Sequence, residues 1–163
     1  MQFHNYSYSR SPQSKILYTV LTGVMKMKRT TAREKAMQIL FQLEINDIDP
    51  VQAIDNHLGE NQSDKFLMKL VLGVEENKQA IDDVIIQHLE KWTIDRIASV
   101  ERTILRIATY EINFVDSIPE SVSINEAVEL AKKYADEKSG KFVNGVLSKI
   151  ITEKDVVDDS SNH

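Results

Sequence analysis

The residues that most clearly indicate a chemistry form a basic cluster at the predicted start of the first helix. The cluster holds five cations: Lys26, Lys28, Arg29, Arg33 and Lys35. Free amides at a helix N-terminus carry partial positive charge, so nearby cations are unfavourable for the helix alone. A bound phosphate chain would relieve that cost, and a few well-placed cations suffice to bind phosphates. The cluster therefore indicates nucleic-acid binding, and a basic arm that only aids solubility stays open as the alternative.

A second candidate site lies near the C-terminal end, where an aromatic residue stands among cations. Phe142 follows Lys138 and Lys141, with Asn144 and Lys149 further along the same predicted helix. A ring beside cations suits single-stranded nucleic acid, because an unstacked base can lie on the ring while lysine contacts phosphate. Aromatic residues at helical spacing are more often core residues. From the residues alone, burial of Phe142 is therefore the favoured interpretation.

Patterns typical of catalysis or metal binding do not occur in the sequence. Cysteine is absent, which excludes disulfides, thiolate zinc sites and cysteine nucleophiles. The four histidines are far apart and form no H-x-x-x-H pair, and no glycine-rich phosphate loop is present. The carboxylate pairs Glu75-Glu76 and Asp82-Asp83 would diverge by about 100° on a helix. We therefore expect no enzymatic activity, no cofactor and no metal site.

Charge is distributed unevenly along the chain. The formal net charge of the 163 residues is −5. Residues 1–35 hold seven Lys or Arg and one acid, a net of +6, so the remainder carries −11. A basic end on an acidic body indicates a local anion site and no general affinity for polyanions.

The predicted elements are all helical. Five Gly and three Pro are too few for the many tight turns of an all-β fold. Apolar residues recur at helical spacing, most regularly over residues 100–115. Two capping-box patterns, Thr31 to Glu34 and Ser123 to Glu126, predict helix starts. We therefore expect an all-α fold, a compact bundle of about seven helices.

The apolar segments are too short to cross a membrane. The run from residue 16 to residue 24 is far below the roughly 20 residues that a membrane-spanning helix needs. The absence of cysteine also fits a reducing compartment. We expect a cytoplasmic protein that does not enter membranes.

Three stretches of the sequence resemble the NusB family. They are TAREKAMQILFQLE (31–44), VERTILRIATYEI (100–112) and IPESVSINEAVELAKKYADEKSGKFVNGVL (118–147). The resemblance implies a fold of two small helical halves. It also implies transcription antitermination without catalysis: such proteins pair with the small-subunit ribosomal protein NusE, bind single-stranded boxA RNA in nascent ribosomal RNA transcripts, and join the RNA polymerase antitermination complex.

The resemblance also assigns roles to individual residues. Arg29 and Arg33 match the arginine-rich start of the family and would contact RNA, and Phe142 matches an aromatic residue implicated in RNA binding. Phe41 and Glu101 match positions that face the ribosomal protein. We expect the RNA site to comprise Lys28, Arg29, Arg33, Lys141, Phe142 and Asn144.

The sequence departs from the family pattern at a few positions. Thr30 and Thr31 stand where arginine can occur, and Lys138 stands where the family can carry an acid. The domain organisation that we expect is a disordered N-terminal extension, a NusB-like helical RNA-binding domain and an acidic flexible tail, over residues 1–27, 28–152 and 153–163.

Two alternative functions remain open from the sequence. The chain could be a helical protein–protein adaptor, or a stand-alone relative of the RNA-binding domain of an rRNA cytosine methyltransferase. The sequence leaves open whether the protein forms a homodimer.

Overall fold

A computed structural model describes residues 26–59, 64–91 and 93–161, and the elements in these ranges are helical. A short 3₁₀ turn, Ile94–Arg96, precedes the fifth of the α-helices. The α-helices are α1 (Arg29–Ile45), α2 (Pro50–Leu58), α3 (Lys65–Glu76), α4 (Lys78–Gln87), α5 (Ser99–Phe114), α6 (Glu120–Tyr134) and α7 (Glu137–Ser161). The prediction of an all-α bundle of about seven helices is confirmed. None of the described helices combines the length and apolar character that a membrane crossing requires.

Helix α5 is the central element of the bundle. It packs against α1, α3, α4, α6 and α7, which surround it on most sides. Its buried apolar residues include Ile104, Leu105, Ile107, Ala108 and Ile112. The regular apolar spacing over residues 100–115 therefore reflects a helix that must bury most of its surface.

Aspartate side chains begin α2 and α3. Asp49 Oδ2 accepts a hydrogen bond from the backbone amide of Gln52 at 3.1 Å, and Pro50 takes the first helical position. Asp64 Oδ1 accepts from the amide of Leu67 at 2.9 Å. Each carboxylate satisfies an amide that the first turn leaves without a helical partner.

The two predicted capping boxes do not form, and both helices begin earlier than expected. Helix α1 begins at Arg29 and α6 begins at Glu120. Glu34 of the first box accepts from Lys133 Nζ at 2.8 Å. In the second box, Ser123 Oγ donates to Glu111 Oε1 at 3.1 Å, and Glu126 Oε1 accepts from Thr30 Oγ1 at 3.0 Å. The predictions were wrong because these polar groups form contacts between helices and are not used to cap their own.

Helix α7 is longer than the sequence indicated. It begins at Glu137, and Asp136 Oδ1 accepts from the amide of Ser139 at 2.8 Å. The helix runs to Ser161, past residue 152, where the expected helical domain ends. The predicted extension over 1–27 lies mostly outside the described residues, and the flexibility of 153–163 stays a prediction.

Candidate nucleic-acid interface

The start of α1 lies against the first turn of α3. Phe66 of α3 is half-buried, and the Arg29 Cζ atom lies 4.4 Å from the centroid of its ring. The Arg33 Cζ atom lies 5.2 Å from the same centroid. The backbone amide of Met27 donates to Asp64 Oδ2 at 2.9 Å, so the segment before α1 is held at this place as well. Lys28 and Arg29 are exposed.

Arg33 is buried in an ion pair. Its Nε donates to Glu111 Oε2 at 2.9 Å and its Nη2 donates to Glu111 Oε1 at 2.7 Å. The exposed fraction is 3% for the Arg33 side chain and 1% for Glu111. The sequence predicted an RNA contact for Arg33, but in this structure its guanidinium has no exposed edge that could reach a phosphate. The pair holds α1 against α5.

A row of polar contacts fixes α1 against α6. Glu34 accepts hydrogen bonds from Lys133 Nζ at 2.8 Å and from the Tyr134 hydroxyl. The hydrogen bonds from Lys133 and then Tyr134 lower the pKa of the Glu34 carboxyl. The same contacts raise the pKa of Lys133 and of Tyr134. Thr30 and Glu126 continue the row at the start of α1. The orientation of the start of α1 is therefore set by α6 and by the contacts with α3 described above.

Phe142 lies in a cleft between α7 and the end of α4. The cleft has a volume of about 310 Å³ and is lined by His88, Leu89, Glu90, Lys91, Lys141, Phe142, Gly145, Val146 and Lys149. The Phe142 ring is half-buried and packs against the core, while Lys141 is exposed beside it. At such a site a base can stack on the half-buried ring while the neighbouring lysines contact its phosphates.

The other candidates on α7 lie outside this cleft or hold other partners. Asn144 and Lys138 are exposed on α7 and do not line the cleft. Lys149 Nζ donates to Glu90 Oε1 at 2.5 Å, and this contact lowers the pKa of Glu90. Lys149 therefore has a carboxylate partner already, whereas Lys141 has none among the described residues.

The residues predicted to face a protein partner lie where the end of α1 meets the start of α5. Phe41 and Glu101 are half-buried, and Ile45, one turn after Phe41, is 68% exposed. Glu44 accepts hydrogen bonds from Arg102 Nη2 at 3.0 Å and from Arg106 Nη1. These contacts tie the two helix ends together.

Sequence reasoning did not single out several residues of these surfaces. Phe66 belongs to no motif, and the one local signal is Asp64, two residues earlier, which caps a helix start. Lys91 and Glu90 follow α4 and carry no motif, so no local signal could have placed them beside Phe142. Within the described ranges, no three His, Asp or Glu side chains gather as a metal site.

Comparisons with known proteins agree on one family. The family model described as NusB family matches residues 30–152. The transcription antitermination protein NusB of Bacillus licheniformis is 56% identical over 124 residues, which are 76% of this chain and 96% of that protein. The corresponding protein of Oceanobacillus iheyensis is 59% identical over 125 residues, covering 77% and 99% of the two chains.

Solved structures give the same result. A structure of T. maritima NusB superposes with a TM-score of 0.73 at 42% identity, covering 79% of this chain and 94% of that one. A crystal structure of antitermination factors NusB and NusE in complex with dsRNA superposes with a TM-score of 0.70 at 36% identity, covering 77% and 96%. The prediction made from the three sequence stretches is confirmed: the chain belongs to the NusB family.

Proposed function

We propose that this chain is a non-enzymatic transcription antitermination factor that binds boxA-type RNA in nascent ribosomal RNA transcripts together with NusE. Relatives that are 56% and 59% identical bear the name transcription antitermination protein. A structural neighbour is a complex of NusB, NusE and dsRNA. We place this activity in the cytoplasm, as part of the RNA polymerase antitermination complex.

The observation that carries the proposal is the half-exposed Phe142 ring in a lysine-lined cleft. Burial of the whole ring would have left no surface for a base. In our proposal an unstacked base lies on Phe142 while Lys141 contacts its phosphate. Asn144, exposed on the same helix, reads a base edge.

The start of α1 supplies the remaining phosphate contacts in this proposal. Lys28, which precedes α1, and Arg29, its first residue, are both exposed. Arg33 holds α1, which carries Arg29, against α5 through its ion pair with Glu111. Cations of this kind contribute the salt-dependent part of RNA affinity, because each phosphate contact releases condensed counterions.

The partner surface in the proposal is the junction of α1 and α5. Phe41 supplies apolar contact area and Glu101 supplies a charge that a basic ribosomal protein would meet. The net charge of −11 outside residues 1–35 favours such a partner and discourages non-specific RNA.

The proposal is tested by substituting Phe142 with aspartate. Loss of one stacking contact should weaken binding of a boxA-type RNA oligonucleotide by about 1–3 kcal/mol. Binding is measured with and without NusE, at two salt concentrations, and folding of each variant is checked by circular dichroism. Phe114→Asp is the control, because Phe114 is a surface phenylalanine that lies at the end of α5 and outside the cleft.

Two outcomes would contradict the proposal. Normal RNA affinity in a folded Phe142→Asp protein would remove Phe142 from the site. Binding of NusE by the wild-type protein, with no salt-sensitive RNA affinity under any condition, would indicate a protein–protein adaptor.

A further inference from the structure

We propose that Phe66 is a positioning residue for RNA binding, which acts by holding the Arg29 guanidinium over its ring at the start of α1. This inference rests on the proposed function, because it concerns how one of the cations of that site is held. It adds a residue of α3 to a surface otherwise assigned to α1 and α7.

The contacts of the two arginines with the described residues differ. Arg33 and Arg29 both lie over the Phe66 ring, at 5.2 and 4.4 Å from its centroid. Arg33 Nε and Nη2 donate to the buried carboxylate of Glu111, and Nη1 lies 3.9 Å from Glu126 Oε2. Arg29 is exposed, and no carboxylate of the described residues pairs with it. Arg29 is therefore the arginine that can bind an added anion.

Stacking uses the face of a guanidinium and leaves its edge available. The five N–H donors of arginine lie in the plane of the group, so a guanidinium that rests on a ring can still bind a phosphate through two donors. A ring beneath the group also restricts its rotamers before RNA arrives. Less side-chain freedom is then lost on binding, which increases affinity.

The ring itself is held in place by contacts that do not involve RNA. Phe66 packs against the hydrophobic core and lies in the first turn of α3, which Asp64 caps. Asp64 is buried, and its other oxygen accepts from the amide of Met27. The first turn of α3 thus holds both the backbone before α1 and the first arginine of α1.

The test is a double-mutant cycle on binding of a single-stranded boxA-type RNA oligonucleotide. The full-length proteins are the wild type, Phe66→Leu, Arg29→Ala and the combined variant. Phe66→Leu should weaken binding about two- to five-fold, the range of a cation–ring contact at an exposed site. In the Arg29→Ala background, Phe66→Leu should have no further effect, because the group that it positions is gone.

Three additional measurements separate this role from a general structural one. Phe66→Tyr keeps the ring face and should keep wild-type affinity. Phe114→Leu, the same change at a phenylalanine without an arginine contact, should leave RNA binding unchanged. NMR relaxation of the Arg29 Nε–H group in the RNA-free protein should show greater mobility in Phe66→Leu than in the wild type.

The possible results lead to different conclusions. Equal losses from Phe66→Leu with and without Arg29 would overturn the inference and leave the proposed function standing. Unchanged RNA binding and unchanged Arg29 mobility in Phe66→Leu would do the same. A wild-type protein that binds no RNA would overturn the proposed function, and this inference with it.

Discussion

At the scale of single residues, the fate of an arginine depends on the partner that it finds in the fold. Arg29 and Arg33 are one helical turn apart and share the Phe66 ring. Among the residues that the structure describes, only Arg33 of the two pairs with carboxylates: Glu111, which lies 78 positions away in the chain, and Glu126, 3.9 Å from its Nη1. Arg33 is consequently a structural residue, and Arg29 remains available for ligands.

The buried pair allows a prediction about stability. Arg33→Ala should lower the free energy of unfolding by about 3–5 kcal/mol, because Glu111 would be left as an uncompensated buried charge. Replacing both residues, as in Arg33→Met with Glu111→Leu, should cost less than Arg33→Ala alone. Urea unfolding of the three variants measures this. If the double variant is less stable than Arg33→Ala, the unpaired charge of Glu111 is not the main cause of the destabilisation, and the prediction is wrong.

At the scale of the helices, close packing of α3 on α5 requires a glycine. A Cβ atom at Gly73 would lie 2.2 Å from Cζ of Tyr110, whereas one at Gly145 of α7 would meet nothing within 4 Å. The Tyr110 ring is buried at this crossing, and this burial, followed by the charge of Glu76, raises the pKa of its hydroxyl. Tyr110 also stacks on Phe114, with ring centroids 5.5 Å apart.

The two glycines form a matched pair of substitutions. Gly73→Ala should destabilise the protein by about 1–3 kcal/mol, because the tyrosine ring must shift out of a packed interface. Gly145→Ala should stabilise it by up to about 1 kcal/mol, since alanine is the better helix former and meets no steric obstacle. Thermal unfolding distinguishes them. Equal effects at both positions would show that helix propensity alone, without the crossing, decides the outcome.

At the scale of the whole molecule, ion pairs join helices that are distant in the chain. Arg106 donates to Asp82 of α4 at 2.7 Å and to Glu44 of α1, which also accepts from Arg102. Burial by itself raises the pKa of Glu44, but Arg102 and Arg106 together outweigh burial and lower it. For Arg106, burial is likewise outweighed, by Asp82 and Glu44, so its pKa is raised.

The Glu44 contacts predict a pH dependence of stability. Because the folded pKa lies below the ordinary value of 4.5, the stabilisation is complete above that value and is lost as the pH falls through the folded pKa. As the pH is lowered below about 5, the melting temperature should therefore fall less steeply in Glu44→Gln than in the wild type. Glu129→Gln, at an exposed position of α6, serves as the control. Parallel profiles for wild type and Glu44→Gln would contradict the prediction.

The same junction of α1 and α5 allows a prediction about assembly. Glu101→Lys should impair binding of NusE, because a like charge would then face a basic partner, while direct RNA binding is retained. Pull-down of NusE and titration with boxA-type RNA measure the two activities separately. Equal loss of both would show that the partner and RNA surfaces are not separate in the way that we propose.

The helices and the family could be predicted from the sequence, and the details of the site could not. Apolar spacing is a property of neighbours three and four residues apart, so the central helix over residues 100–115 was found without knowledge of the fold. The capping boxes failed for the opposite reason. Glu34, Ser123 and Glu126 form hydrogen bonds to other helices, and a local pattern contains no information about such partners.

What the amino-acid order determined by itself is an all-helical member of the NusB family with a basic start and a second basic region around Phe142. What only the tertiary structure decided is which of these groups can meet a ligand. Arg33 is buried in an ion pair with Glu111, whereas Arg29 is exposed and lies over the Phe66 ring. The Phe142 ring is half-buried in a cleft that is lined in part by residues after α4. The physical reason is that exposure and charge pairing depend on contacts between distant segments, whereas helix formation depends mainly on adjacent turns.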